Sequence, residues 1–485
     1  MYKRIFFILM SIWVITTIHP AKGWAEMPTL DEARELYKAG KYEEAAPVFA
    51  KELKRKPNDG SLNHWYGVCL YETGEYEASI PYLKKAVSRR VLQSNYYLGQ
   101  AYAAACMFDN AVEAYEKYVE ALKKDKREPD STVIAKITSA KLGSRMISGV
   151  EKVQVIDSLT VDSLSFFEAY RLSPESGRLV GSDALPFALP QDTPVVAFVP
   201  QRNDIIFIGY PLTGDNYDLC VSNNLLGGQW SRLQSLSATL NTTDNQSYPF
   251  MLADGQTLYY AQDGENSLGG YDIFITRFSS EREDYMLPQN LGMPFNSVFN
   301  DYMLAIDETL GVGWFVTDRN HIPGQLTVYI FIPNEEKEIY TDESEEHLRN
   351  LARISSIKDT WREGADYSQL LEAIAQIDPE AALVPAKEFT FVVCNGIVYT
   401  RSQDFQNAEA LRFFNMARDT MKQLTQAKEQ LDKLRRTYAQ SSTAEKNKLK
   451  PTILSLEKKI EQLSSQPSEY EKKARRAELS FRNLL

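Results

Sequence analysis

The hydrophobic pattern along the chain changes twice, and each change marks a different kind of structure. Over residues 30–118, apolar residues recur every three or four positions, which is the spacing of amphipathic helices. After Val150, apolar and polar residues alternate over short stretches bounded by Gly, Asn and Asp, which is the spacing of β-strands. From Phe405 onward the helical spacing returns, with many charged residues. The pattern predicts a helical domain, an all-β domain and a helical tail.

The first helical stretch contains an internal repeat of about 34 residues. Small residues that let two helices approach closely recur at Ala33, Gly67 and Gly99. A turn position follows at Gly40, Gly74 and Cys106. An aromatic residue comes next at Tyr42, Tyr76 and Phe108, and then a second-helix position at Ala45, Ser79 and Ala111. A helix, a turn and a second helix fill one repeat of this length. The stretch resembles the tetratricopeptide repeat family over residues 30–118, which implies an α-solenoid with a concave binding face.

The first helix of each repeat carries residues outside the packing signature, and we expect them on the concave face. They mix charged and aromatic side chains: Arg34, Lys38, His64, Tyr71, Glu72, Tyr96 and Gln100. A groove of this composition suits an extended or helical peptide, so these residues form the predicted partner-binding site. The other interpretation is that the repeats form a spacer with a solvated surface. An amphipathic segment at residues 132–147 is expected to cap the last repeat.

A second repeat, of about 55 residues, runs through the alternating region. Asn241 recurs as Asn296, and Tyr217-Asp218 recurs as Tyr271-Asp272. A period of this size is typical of radially repeated folds. The region is similar to the WD-like β-propeller repeats of the TolB class, which implies a β-propeller. The matching positions are Asn241, Ser247, Pro249, Asp254-Gly255, 258–260, 269–274, 290–292 and Asn296-Ser297.

Two segments follow the best-matched repeats. A hairpin predicted at residues 389–399, with an Asn-Gly turn, is expected to close the propeller by pairing with the first strands near Val153. Residues 336–386, between the repeats and this hairpin, are predicted as a helical insertion.

In the tail, apolar residues step by three and four over residues 424–438 and 449–463, which predicts a helical hairpin with coiled-coil seams. These seams pair within the chain or dock another chain. Intrachain pairing is expected because each seam lasts only about two heptads.

The N-terminal residues predict export. Lys3 and Arg4 precede an apolar run at residues 5–18 that is too short to span a bilayer, and small residues near Ala25 suit a cleavage site. We therefore expect a signal peptide at residues 1–25, a mature chain without a transmembrane helix, and a periplasmic location, peripheral to the outer membrane.

The predicted fold is a multidomain α + β chain. Its parts are a tetratricopeptide repeat domain with its capping helix at 26–148, an all-β propeller at 149–402 that includes the helical insertion, and a helical hairpin or coiled coil at 403–485.

Composition and motifs narrow the function. A net charge of −11 at pH 7 argues against nucleic-acid partners. The chain has no Gly-x-Ser-x-Gly elbow, phosphate-binding glycine loop or His-Glu-x-x-His run, so no catalytic, cofactor-binding or metal-ligating residues are predicted. Asp218 and Asp272 invite a calcium interpretation, but each stands alone, and a carboxylate that accepts backbone hydrogen bonds in a turn is favoured. The cysteines have no short paired spacing and are expected in the core.

The domain order resembles envelope proteins that include periplasmic components of the type IX secretion apparatus. Those proteins continue into an OmpA-like domain, where this chain has a helical tail. The resemblance implies a non-enzymatic scaffold or adaptor that binds envelope proteins or peptides through a groove and a propeller face, in envelope assembly or secretion. The alternative is a carbohydrate-active enzyme with paired acids in the propeller cavity.

Overall fold

The computed structural model describes residues 27–189, 193–212, 214–225, 229–377, 389, 391–394, 397–440, 443–464 and 466–482. The predicted signal peptide lies outside these residues. Backbone contacts divide the chain into two compact units, Met1–Ala382 and Leu383–Leu485. The sequence-based prediction placed the end of the β-region at residue 402.

The first unit begins with antiparallel helix pairs. The helices are α1 (Leu30–Lys38), α2 (Tyr42–Arg55), α3 (Gly60–Glu72), α4 (Tyr76–Ser88), α5 (Gln93–Ala104), α6 (Phe108–Lys124) and α7 (Ser131–Met146). Their starts are fixed locally: Thr29 and Glu32 form a capping box on α1, and the Asp59 and Asp130 side chains cap α3 and α7. Gly40 and Gly74 turn the chain at positive φ between paired helices.

Small residues on the first helices set how closely the pairs approach. A Cβ atom on Gly67 would lie 2.8 Å from Leu83 Cγ, and one on Gly99 would lie 2.5 Å from the Tyr115 ring. The large side chains of the second helices therefore occupy the space that the glycines leave open. This accounts for the predicted packing signature, because each of these small positions faces a buried large residue.

Three antiparallel sheets follow in the described part of the first unit. The first has the order β2 (Arg178–Gly181), β3 (Val196–Val199), β4 (Ile205–Tyr210), β5 (Asp218–Asn223) and β6 (Gln234–Ser235). The second contains β7 (Gln246–Met251), β8 (Thr257–Gln262), β9 (Asp272–Ser279), β10 (Asp284–Tyr285) and β11 (Gln289–Asn290), with both β10 and β11 paired to β9. The third joins β12 (Asp301–Asp307), β13 (Val312–Thr317) and β14 (Gln325–Ile332) to β1 (Gln154–Asp162). Phe198, Phe250 and Trp314, one from each sheet, belong to a single buried core.

The predicted 55-residue recurrence corresponds to a recurring set of hydrogen bonds. Asn241 accepts from Leu219 N (2.8 Å) and donates to Leu219 O (3.0 Å), and Asn296 does the same with Ile273 N (2.7 Å) and O (2.8 Å). In each case an asparagine that precedes one sheet completes the hydrogen bonding of a strand in the sheet before it. The repeat therefore encodes connections between successive sheets.

A second asparagine in each repeat makes a further shared connection. Asn245 accepts from Tyr217 N, and its backbone and side-chain N–H groups donate to the two carboxylate oxygens of Asp263. Asn300 makes the same bonds, accepting from Tyr271 N and donating to the two oxygens of Asp318. Both asparagines accept at 3.0 Å.

Asp272, considered above as a calcium ligand, accepts from Leu268 N at 2.8 Å and Gly269 N at 3.1 Å. The interpretation of Asp272 as an acceptor of backbone hydrogen bonds is therefore confirmed.

The first strand of the β-region pairs with its last. β1 runs antiparallel to β14, from Gln154 opposite Ile332 to Asp162 opposite Gln325. The prediction that the hairpin at 389–399 pairs near Val153 is therefore wrong, because β14 occupies that position. The hairpin lies in the second unit, and its local turn signal carried no information about its partner.

The helical insertion covers one edge of the β-region. Its described helices are α8 (Glu345–Arg353) and α9 (Ser368–Ala375). Thr360 Oγ1 accepts from Val155 N at 2.9 Å, and Trp361 Nε1 donates to Val155 O at 2.7 Å. These bonds satisfy backbone groups on the outer edge of β1 at its bulge, which protects an otherwise open sheet edge.

The second unit packs a small hairpin against helices. It contains β15 (Phe391–Cys394), β16 (Ile397–Tyr399), α10 (Ala408–Gln440), α11 (Thr443–Ser464) and α12 (Gln466–Phe481). Phe391, Phe405 and Phe414 stack in its core. The fully buried Glu478 accepts from Tyr399 Oη at 2.7 Å and from Gln406 N at 2.9 Å. The hairpin and the helices therefore share one core.

Candidate partner-binding groove

Tyrosines line the face formed by the first helices of the repeats. Tyr37 lies on α1, Tyr71 on α3 and Tyr97 on α5. The ring centroids of Tyr71 and Tyr97 are 6.1 Å apart, Tyr37 lies 5.7 Å from Tyr42, and Tyr71 lies 5.5 Å from Tyr76. These distances are those of interacting aromatic pairs, so the rings form one group within the first repeat and another that joins the second repeat to the third. We call Tyr37, Tyr42, Tyr71, Tyr97 and the adjacent Glu72 the tyrosine cluster.

Glu72 is the carboxylate of the tyrosine cluster. It is half-buried, and within the described residues its side chain makes no hydrogen bond or ion pair. Burial raises the pKa of Glu72, and the nearby His321 lowers it. Burial is the main cause that raises the pKa of Tyr97 to about 12, with the Glu72 carboxylate as the next cause. The site therefore holds an anionic group in poorly hydrated surroundings, which is unfavourable until a cation approaches.

The charged residues predicted at the first repeat lie on the surface. Lys38 is exposed and pairs with Glu35 at 2.8 Å. Arg34 pairs with Asp31 at 2.8 Å and lies 4.9 Å above the Trp65 ring. These pairs are exposed and contribute little to stability, so both cations remain available to a partner.

His64 and Tyr96 lie deeper than a solvent-facing groove residue. His64 is buried, and its Nδ1 lies 2.9 Å from Ser94 Oγ. Burial lowers the pKa of His64 to about 4, so the ring is neutral at pH 7. Tyr96 packs against Tyr97, Tyr115 and Tyr118. These contacts give His64 a packing role between the second and third repeats, and they give Tyr96 a packing role within the third.

Of the predicted residues, Tyr71 and Tyr96 both contact the Tyr97 ring, and Glu72 adjoins Tyr71. Gln100 is half-buried on the same helix as Tyr97. The sequence-based set missed Tyr37 and Tyr97. The repeat itself points to Tyr37, because Tyr37 stands one period of 34 residues before Tyr71. No comparable signal marks Tyr97, whose contribution depends on how α5 packs beside α3.

The β-region borders the groove on one edge. Tyr76 packs against Phe299 with ring centroids 5.5 Å apart, and Arg353 of α8 pairs with Glu77 at 2.9 Å. A cavity of about 230 Å³ lies at this junction, with Cys106, Met293 and Arg353 among its lining residues. Helical repeats, sheets and insertion therefore meet at Tyr76 and Glu77, and the Tyr76 ring also contacts Tyr71 of the cluster.

A second cavity, of about 370 Å³, opens among the sheets. Tyr217, Tyr248 and Tyr271 line it, and Asp183 is the acidic residue among its described lining. A glycosidase needs two carboxyl groups across one site, and the described lining of this cavity supplies a single one. The buried acids Asp272 and Asp301 do not line it.

Among the described residues, no group of three or more His, Cys, Asp or Glu side chains is placed to hold a metal ion. None of the helices in the described part of the chain combines the length and apolar composition that crossing a membrane requires.

Comparison with known proteins agrees with the helical part. Residues 30–93 match the tetratricopeptide repeat family. This match covers the first two helix pairs and the start of α5, and it indicates a protein–protein interaction module. No curated protein sequence matches the chain significantly.

Proposed function

We propose that this protein is a non-enzymatic scaffold of the periplasm that captures a segment of another envelope protein in the groove of its helical repeats. The observation that carries this proposal is the tyrosine cluster. Three of its rings, Tyr37, Tyr71 and Tyr97, lie on the first helices, where repeats of this family bind their partners, and Tyr42 lies at the start of α2. The carboxylate of the cluster lacks a partner within the described residues. Buried aromatic area combined with an unpaired charge is typical of binding surfaces.

The β-region is the second part of this proposal. We infer that its three sheets are blades of a propeller that presents a further partner surface. Support comes from the pairing of β1 with β14, which joins the start of the region to its end as propellers do, and from the recurring asparagine bonds between successive sheets. The fold alone does not specify the partner.

The proposed location is the periplasm, peripheral to the outer membrane, with a role in envelope assembly or secretion. The basic residues and apolar run before Ala25 support export. N-terminal sequencing of the protein recovered from the periplasmic fraction should begin near residue 26. A chain that begins at Met1 in an integral membrane fraction would contradict the proposal.

Site-specific photo-crosslinking in cells tests partner capture. A photoreactive residue in place of Lys38, exposed on the first helix α1, should give a discrete crosslinked species. The same residue in place of Lys84, exposed on the second helix α4, is the matched control and should give none. Tyr71→Ala should weaken the Lys38 crosslink because it removes aromatic contact area. Equal crosslinking from both positions would contradict the proposal that the partner binds in the groove.

A further inference from the structure

One carboxylate in the groove differs from the charges predicted beside it. Arg34 and Lys38 each pair with an acid on their own helix. Glu72, at the end of α3, makes no hydrogen bond or ion pair within the described residues, although it is half-buried. Among these groove residues, Glu72 is therefore the uncompensated charge, and it lies beside aromatic rings.

The rings beside Glu72 come from three repeats. Tyr37 and Tyr42 approach from the first helix pair, Tyr71 adjoins Glu72 on α3, and Tyr97 approaches from α5. Glu72 directly follows Tyr71 on α3, and the Tyr71 and Tyr97 ring centroids are 6.1 Å apart. Burial is the main cause that raises the pKa of each of these phenols, and the Glu72 carboxylate is a further cause for every one. Aromatic rings attract cations through their negative faces, and a neighbouring carboxylate adds direct charge attraction.

His321 is the titratable group of the β-region that acts on Glu72. It lies on the loop after β13, it is exposed, and it forms no ion pair with Glu72. Within the described residues the Glu72 carboxylate therefore has no ion-pair partner, although His321 lies near it.

We propose that the tyrosine cluster is a cage for one basic side chain, a lysine or an arginine, of the segment that the groove binds. This inference rests on the proposed function and adds the chemistry of the partner. A basic side chain suits the cage because its aliphatic stem packs on the rings while its charged end reaches Glu72. An acidic side chain at the same point would meet the unpaired carboxylate and be repelled.

Defined peptide pools test the inference with the full-length mature protein. Labelled peptides of about ten residues, long enough to lie extended in a groove, carry one fixed central residue and random neighbours. The fixed residue is lysine, arginine, norleucine, glutamine or glutamate, and binding is measured by fluorescence anisotropy. We expect the lysine and arginine pools to bind roughly tenfold more tightly than the norleucine pool.

Glu72→Gln keeps the shape of the side chain and removes its charge, so most of the preference for basic pools should disappear. Tyr97→Leu removes a ring and should reduce the preference to a smaller extent. The matched control is Glu43→Gln, on the outward helix α2, where an exposed glutamate makes no ion pair within the described residues. This control should retain the full preference, and circular dichroism should show equal helix content in all variants.

The outcomes separate the two proposals. If the pools bind but the norleucine and lysine pools bind equally, the cage is wrong and groove binding stands. A preference for the glutamate pool, or a basic preference that survives Glu72→Gln, also overturns the cage. If no pool binds the wild-type protein, the groove assignment fails together with the cage.

Discussion

The helical repeats and the β-sheet repeats solve the same problem, the joining of one repeat to the next, by different chemistry. In the helical part, glycines leave room for a large side chain, as Gly99 does for the Tyr115 ring. In the β-region, asparagine side chains bond the backbone of the preceding sheet, as Asn296 does with Ile273. The helical connections depend on the shapes of packed side chains, and the connections between sheets depend on hydrogen bonds to backbone groups. The two regions should therefore respond to different substitutions.

The largest effect is expected where a polar connection between sheets is removed. Asn296→Ala leaves the buried Ile273 N–H and C=O without their side-chain partner, and we expect a loss of about 2–5 kcal/mol in the free energy of unfolding. Asn296 is fully buried and Asn241 is half-buried, so Asn241→Ala should cost less. Urea denaturation of both variants measures the difference. Equal losses would mean that burial does not set the strength of these connections.

A shape substitution tests the helical part. In Gly99→Ala the added methyl would lie 2.5 Å from the buried Tyr115 ring, and the overpacking should destabilise the protein by about 1–3 kcal/mol. Gly149→Ala is the control, because nothing lies within 4 Å of its added Cβ. Thermal unfolding should separate the two variants. If Gly99→Ala matched the control, the close approach of α5 and α6 would not be required.

The two regions should also respond to pH with opposite signs, and the stronger pH dependence is expected in the β-region. Burial, followed by the neighbouring Asp301, raises the pKa of Asp272 to about 7. Between about pH 4 and pH 7 the folded protein holds a proton there that the unfolded chain releases, so this group makes the protein less stable as pH rises.

In the wild-type protein this group should lower the free energy of unfolding by on the order of 2 kcal/mol over that pH range, and Asp272→Asn should abolish this loss. The measurement is the free energy of unfolding of both proteins from pH 4 to pH 8. A slope that the substitution leaves unchanged would show that Asp272 is ionised throughout.

The helical part contains the opposite case. Burial lowers the pKa of His64 to about 4, below the usual 6.5. Between these values the unfolded chain binds a proton that the folded protein excludes, so the contribution of His64 to stability is lost as pH falls from about 6.5 to 4.

His64→Asn keeps a polar partner for Ser94 but does not titrate, and it should reduce the acid sensitivity by on the order of 1 kcal/mol. Hydrogen exchange of α3 and α5 at pH 4.5 and pH 7 localises the effect. Unchanged acid sensitivity would contradict a buried neutral ring.

Local patterns predicted much of this fold, and the failures share a physical cause. The helix pairs were located because Gly67, Gly99 and their partners recur close together in sequence, and residues 30–93 match the expected family. Alternation located the β-region after Val150 but not each of its strands, since β2, β7 and β12 were missed. The pairing of β1 with β14 was missed because strand pairing depends on distant residues that no local period specifies. The Asn-Gly hairpin was found, but its packing against Phe414 depends on a helix that follows it.

The groove was predicted with the same limits. Tyr71 and Glu72 were included in the predicted groove because they lie on the first helix of a repeat outside the packing signature, and their role in binding stays a prediction. His64 satisfied the same rule, yet its ring faces Ser94 of the next repeat. Sequence position gave the helix face only approximately, and the packing between repeats decided which side chains remain accessible.

The pairing of β1 with β14 also sets an order of events during synthesis. Each helix pair can form as soon as its own residues have emerged, since its contacts lie within the pair and its neighbour. β1 emerges directly after these helices but finds its partner only when residues 325–332 have followed. Throughout that interval Val155 and Ile156, both buried in the finished fold, have no sheet to join. A nascent chain held at residue 320 should therefore show folded helices beside an accessible first strand, which is where a chaperone would act.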